Sequence, residues 1–172
     1  YGKTLCYEPH IYLLKPIVMP NWCENTLVIK ADNYEEILND ITDEGNINLD
    51  FEKIVCPPDT PAYRNEYTTS QDEIRDDPTF WYSWNPTNWG TKWNASESSI
   101  SINHHYNAFE ITFNTAWSPP EPVIHVLGEK YPEAVIMLSY QERGMDFEGA
   151  IVINHGIVEY DDSRPCIPEV SI

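Results

Sequence analysis

Phe109-Glu-Ile-Thr-Phe-Asn-Thr-Ala-Trp-Ser-Pro-Pro-Glu-Pro-Val-Ile-His-Val-Leu-Gly-Glu-Lys-Tyr131 carries two periods back to back. Phe109, Ile111 and Phe113 alternate with Glu110, Thr112 and Asn114, the period-two pattern of a half-buried strand. Ser118-Pro119-Pro120-Glu121 then reads as a helix start, with a Ser cap, Pro in the first turn and Glu three residues after the cap. Val123, Ile124, Leu127 and Tyr131 supply the apolar stripe, Gly128 on that face allows close approach to a sheet, and Pro132 ends the helix. Ala134, Ile136, Leu138 and Tyr140 resume the strand period, so strand, helix and strand follow in order.

The pattern extends in both directions. Before it, Ile100 and Ile102 alternate with serines, and His104 to Asn107 resembles a turn. After it, Arg143-Gly144 suggests a turn, and Ala150–Ile153 and Ile157–Tyr160 read as one or two final strands. The first half repeats the plan. Thr26–Ala31 reads as a strand, with Leu27, Ile29 and Ala31 on one face. Asn33 and Glu36 form a capping box ahead of Tyr34, Ile37, Leu38 and Ile41 at helical spacing, and Gly45 closes the helix. Ile47, Leu49 and Phe51 alternate with polar residues as a further strand, which Cys56-Pro57-Pro58 stops. The expected fold is α+β: a ferredoxin-like βαββαβ sandwich, a mainly antiparallel sheet with two helices on one face and an extra C-terminal hairpin. The expected organisation is an extension at residues 1–18, a single domain over 19–160 and a loose tail at 161–172. Within the domain, residues 59–79 read as an acidic surface insertion.

Between the halves lies Phe80 to Asn94, which holds Trp81, Trp84, Trp89 and Trp93, four of the six tryptophans. Their spacing suits neither a strand nor one clean helix, and Pro86 and Gly90 call for turns. The stretch reads as an ordered loop packed onto the scaffold.

Charge is the unusual property. The 172 residues include 28 acids and 10 bases, a net charge of −18. Fourteen of the acids fall between Asp32 and Asp77, where only Lys53, Arg64 and Arg75 oppose them. Such a field repels nucleic acid and anionic membranes and attracts basic partners. The four cysteines form no Cys-x-x-Cys motif, and they read as reduced thiols, with one or two disulfides as the alternative. No run is long enough to span a membrane. His104 and His105 are adjacent and diverge on extended backbone, and no metal or cofactor motif occurs. Glu142, Asp146 and Glu148 flank an expected hairpin turn and read as its polar ends, so no catalytic residue is assigned.

Three separate segments resemble one known family. They are Pro20-Asn21-Trp22-Cys23, Asn88-Trp89-Gly90-Thr91-Lys92-Trp93-Asn94, and Phe113-Asn114-Thr115-Ala116-Trp117-Ser118-Pro119-Pro120. In this order they are similar to the YubB/Api92-like ferredoxin-like family, a domain of unknown function carried by phages and plasmids. The resemblance covers Met19 to about Tyr160 and implies the ferredoxin-like fold, a bacterial cytoplasm and a mobile-element setting. It brings no catalytic residues with it.

Two regions emerge as candidate partner-binding surfaces. One is the acidic segment, represented by Asp72, Glu73, Asp76 and Asp77, whose dense carboxylates would suit a basic groove and could mimic nucleic acid. The other is Trp84, Asn88, Trp89, Lys92 and Trp93, an aromatic-polar patch, for which the plainer reading is a structural plug. The function expected is that of a non-catalytic acidic protein. It would bind a basic host protein such as a nucleic-acid-dependent defence component, in the manner of an anti-restriction or anti-CRISPR protein. The alternatives are an enzyme acting on a small molecule or nucleotide at the tryptophan segment, and a single-stranded nucleic-acid binder.

Overall fold

In the computed structural model the described residues are 21–64 and 77–166. The expected extension at 1–18, most of the acidic insertion and the end of the tail lie outside them.

Ten elements are described: β1 (Trp22–Lys30), α1 (Tyr34–Ile41), α2 (Phe51–Ile54), α3 (Trp81–Asn88), β2 (Ser96–Asn103), β3 (Ala108–Ala116), α4 (Glu121–Lys130), β4 (Val135–Glu142), β5 (Phe147–Asn154) and β6 (Ile157–Pro165). The six strands form one sheet in the order β2-β3-β1-β4-β5-β6, and every neighbouring pair is antiparallel.

Alternation decides which face is buried. Across β3, β1, β4 and β5, one row reads Ile111, Leu27, Leu138, Ile151 and the next Phe109, Ile29, Ile136, Ile153. All eight side chains are buried. Tyr34, Ile37, Leu38 and Ile41 of α1 and Val123, Ile124 and Leu127 of α4 join the same core, as do Phe51 and Ile54 of α2. Each such aliphatic side chain contributes roughly 1.5–3 kcal/mol on burial. The opposite face of β1, with Glu24, Thr26, Val28 and Lys30, is exposed or half-buried, as antiparallel sheets permit.

Five local expectations need correction. The segment 47–52 is not a strand: Leu49 makes a single bridge to Thr42, and the chain then turns into α2. Asp50 caps that turn through the N–H of Glu52, and Ile47, the first apolar position of the supposed alternation, is 63% exposed. Residues 80–94 are not a loop throughout, because Trp81–Asn88 is helical with Pro86 inside. Thr87 Oγ1 donates to the Ser83 carbonyl and Asn88 Nδ2 to that of Trp84, and rings on both sides hold the helix in place of an amphipathic stripe. Asn33 does not cap α1 with its side chain, which donates instead to Glu133 Oε1. Ser118 does not cap α4 either, since the helix begins at Glu121 and Ser118 Oγ donates to the Gly90 carbonyl. Finally, residues 161–165 are no loose tail. They pair with Phe147–Ile151 as the end of β6, and Arg164 meets Glu148 at 3.0 Å.

Trp89 anchors the tryptophan-rich segment in the core. It is 2% exposed, lies edge-on to Phe51 and Trp84, and donates its indole N–H to the Val55 carbonyl at 2.9 Å. Gly90 follows at φ +78°, and a Cβ there would stand 2.6 Å from Pro122 Cδ and 3.0 Å from the Pro119 carbonyl oxygen.

Two stability predictions follow from these contacts. Gly90→Ala meets both a left-handed backbone and two clashes, so it should destabilise by about 2–4 kcal/mol. In thermal unfolding that is a fall in Tm on the order of 10 °C for a chain of this length. Trp89→Phe removes a buried donor and strands the Val55 carbonyl, and should lower stability by about 1–3 kcal/mol in urea unfolding.

Candidate functional site

The structure gathers the aromatic residues of three distant segments at one end of the sheet. Trp22 opens β1 opposite Ala116, the last residue of β3. Trp117 follows immediately, its N–H bonded to the Asn21 carbonyl at 2.9 Å. Trp93 lies 6.2 Å from Trp22, centroid to centroid. Tyr82 at the start of α3 completes the group. Trp22, Tyr82, Trp93 and Trp117 are all exposed, the two last at 37 and 38%.

Beneath the rings is a network of polar bonds. Thr91 Oγ1 donates to the Ala116 carbonyl at 2.9 Å, Ser118 Oγ to the Gly90 carbonyl, and Thr115 Oγ1 to the Ser118 carbonyl. Asn85, itself buried, donates to the Lys92 carbonyl at 2.9 Å and accepts from Tyr63 Oη at 3.0 Å. Burial pushes the Tyr63 phenol up to about 12, so it remains a donor across the physiological range. Asn94 closes the segment: its Oδ1 accepts from the N–H groups of Phe51 and Ala95, and its Nδ2 donates to Asp50. These bonds fix the backbone of the segment that carries Lys92 and Trp93.

Lys92 is held by aromatic faces. Its Nζ lies 4.5 Å from the ring centroid of Tyr82, 5.2 Å from that of Trp93 and 5.9 Å from that of Trp81. Each such contact is worth about 0.5–1 kcal/mol where water reaches it. Among the described residues no carboxylate pairs with Lys92, although acids outnumber bases almost three to one in the chain. A cleft of about 500 Å³ opens beside it, lined by Tyr82, Pro86, Thr91, Lys92, Ala116, Trp117 and Ser118.

The residues expected to meet a partner divide. Lys92 and Trp93 belong to this surface. Trp89 does not, because its burial leaves it nothing to offer a partner, and Trp84 packs half-buried between Tyr63 and Trp89. Asn88 spends its amide on the Trp84 carbonyl. Asp77 accepts from the N–H and hydroxyl of Thr79, fixing the approach to α3. Asp72, Glu73 and Asp76 lie outside the described residues. Trp22, Tyr82 and Trp117 were not singled out as site residues from sequence. Trp22 and Trp117 do stand in the motifs that carry the family resemblance, and that was the available signal.

Trp117 has a further property. Its φ is +73°, in the left-handed region where Gly and Asn are at ease and a bulky residue is an outlier. Among the described residues the other non-glycine residues with positive φ are Asn46, Glu97, Asn107, Asp146 and His155, mostly turn formers.

The remaining polar clusters are structural. Glu142 is buried and accepts the N–H groups of Gly144 and Met145, which fixes the β4–β5 turn. Burial raises the Cys23 thiol to about 12, leaving it unreactive as a nucleophile. His104 Nδ1 meets Tyr34 Oη at 2.6 Å and ties the β2–β3 turn to α1. Among the described residues no group of His, Cys, Asp and Glu is arranged to hold a metal ion, and no helix is long and apolar enough to cross a membrane.

Comparison with known proteins agrees with the fold. Residues 88–169 match the model of the ferredoxin-like domain in Api92-like protein. Among solved structures, the chain is similar to the crystal structure of a protein Api92 from Yersinia pseudotuberculosis, with a TM-score of 0.55 at 10% identity. That likeness covers 87% of this chain and 100% of the other. No curated protein matches. Residues 88–169 therefore match the ferredoxin-like domain found in Api92-like proteins.

Proposed function

We propose that this is a non-catalytic interaction protein that docks a basic partner on the aromatic end of its sheet. The observation that carries this reading is Trp117. Holding an aromatic residue at φ +73° costs about 1–2 kcal/mol. The ring lies outside the core and is 38% exposed, so packing repays that strain only in part. Strain kept for the display of an indole supports a recognition role, and Trp is a preferred interface anchor. The net charge of −18 supports the partner's sign, since complementary charge speeds encounter and rejects acidic competitors.

A basic host protein of the mobile element's cell, such as a nucleic-acid-dependent defence component, has the required charge. In this reading the ferredoxin-like βαββαβ frame, with α1 and α4 on one face and the β5–β6 hairpin at the edge, serves as the support. Its acidic residues, including those of 65–76, supply the long-range attraction. An enzymatic reading has less to support it: the cleft beside Lys92 is lined by no carboxylate and no histidine. Binding of single-stranded nucleic acid would use the same rings by stacking, but against the repulsion of the whole chain.

The test uses the full chain immobilised in bacterial lysate. A basic protein should be retained at low salt and released as ionic strength rises. Trp117→Asn should lose it while matching or exceeding the wild type in stability by about 1 kcal/mol, because Asn tolerates the left-handed backbone. Retention by Trp117→Asn, or capture insensitive to salt, would overturn the proposal. A gel shift with single-stranded oligonucleotides that disappears in Trp117→Asn would replace it with the nucleic-acid reading.

A further inference from the structure

The aromatic end also specifies the kind of polypeptide it takes. We infer that the cleft between Tyr82 and Trp117 binds a proline-rich segment in the polyproline II conformation, flanked by basic residues. This inference rests on the interaction role proposed above and narrows it.

The first support is the shape and lining of the cleft. Tyr82 and Pro86 of α3 line it together with Trp117 and Ser118 from the β3–α4 connection, and with Thr91 and Ala116. Grooves walled by aromatic rings accept proline because its ring is a compact apolar wedge and its backbone is already ordered. Less entropy is then lost on binding than with a flexible segment.

The second support is hydrogen-bond chemistry. The hydroxyl protons of Thr91 and Ser118 are already committed to the carbonyls of Ala116 and Gly90. Three cleft residues have side-chain donors without a hydrogen-bond acceptor among the described residues: the Lys92 ammonium, the Trp117 indole N–H and the Tyr82 hydroxyl, of which only the last can also accept. Trp89 is the one tryptophan whose indole N–H has an acceptor among those residues. Free donors call for a ligand rich in acceptors. A run of prolines offers a carbonyl at every residue and no backbone N–H to leave unpaired. An extended peptide of other residues would bring an N–H at every residue, to be met among the lining side chains by the hydroxyl oxygens of Tyr82, Thr91 and Ser118.

The third support is charge. The rings of Tyr82, Trp93 and Trp81 hold Lys92 in place, so the donor is positioned without a carboxylate that would neutralise it. The chain as a whole carries a net charge of −18. A ligand therefore gains from carbonyl oxygens at the centre of the cleft and from arginine or lysine beyond its ends.

The experiment titrates the full chain with two synthetic peptides, one a hexaproline with an arginine pair at each end. The other keeps the arginines and replaces the prolines by alternating glycine and serine. Calorimetry gives affinity, and the indole N–H resonances report which tryptophans are touched. The proline peptide should saturate, shift the Trp117 resonance and bind at least tenfold more tightly than the glycine–serine peptide. Trp117→Asn and Tyr82→Ala should each weaken it at least tenfold, with circular dichroism confirming the fold of both variants. Equal affinity for the two peptides would overturn the inference while leaving a charge-driven interaction role intact. Binding of neither peptide, or binding unchanged in Trp117→Asn, would also overturn it, whatever partner the lysate yields.

Discussion

The close approach at Gly90 is the constraint on which the aromatic end depends. The residue has no Cβ and sits against Pro119 and Pro122, so the segment 88–94 lies directly on the joint between β3 and α4. Two side-chain bonds then lock the contact, Thr91 to Ala116 and Ser118 to Gly90. Trp89 turns inward on one side of Gly90, and Lys92 and Trp93 turn outward on the other. With any larger residue at position 90 the segment would have to lift. Trp93 would then leave Trp22, and the cleft wall opposite Trp117 would move. Core and display surface are coupled through a single residue without a side chain.

Where hydrophobic period and burial coincide, the sequence was readable. The alternation in Phe109–Phe113 and Ile136–Tyr140 gave strands, and the i, i+3, i+4 stripe of Tyr34–Ile41 gave a helix, because each element buries one face. α3 was not readable for the same reason in reverse. Its tryptophans pack on several sides, so no face is uniformly apolar, and Pro86 argued for a turn. In α2 the alternation of Leu49 and Phe51 was real but marked two buried points on a turning chain. β6 was missed in part because all nine of its residues are exposed, so it has no buried face to announce it; its strand character comes from pairing with β5.

The candidate site was half legible. Lys92 and Trp93 could be chosen because a lone cation among rings is visible in composition. Trp89 stands in the same run and is buried, since nothing local distinguishes a buried indole from an exposed one four residues away. Trp117 was passed over because its distinguishing feature is a backbone angle. A Trp-Ser-Pro-Pro sequence does not show that its first residue will be left-handed. That follows only when β3 ends against Asn21 and the chain must turn at once toward Gly90.

The exposed face of the sheet is the natural rival for a docking surface, and its chemistry argues against it. Across β3, β1 and β4 its rows read Thr112, Thr26, Ser139 and Glu110, Val28, Met137. Short hydroxyl side chains make the first row one that water solvates well, and the second runs on through Val152 to Tyr160, whose hydroxyl donates to Asp162. An antiparallel sheet needs no cover on its second side. The aromatic end differs in kind. Four exposed rings there are oriented by buried hydrogen bonds, and one of them is held against its backbone preference. Solvation explains a polar face and packing explains a buried ring, but neither alone explains strain maintained at a partly exposed one; in the function proposed above, recognition of a partner supplies that term.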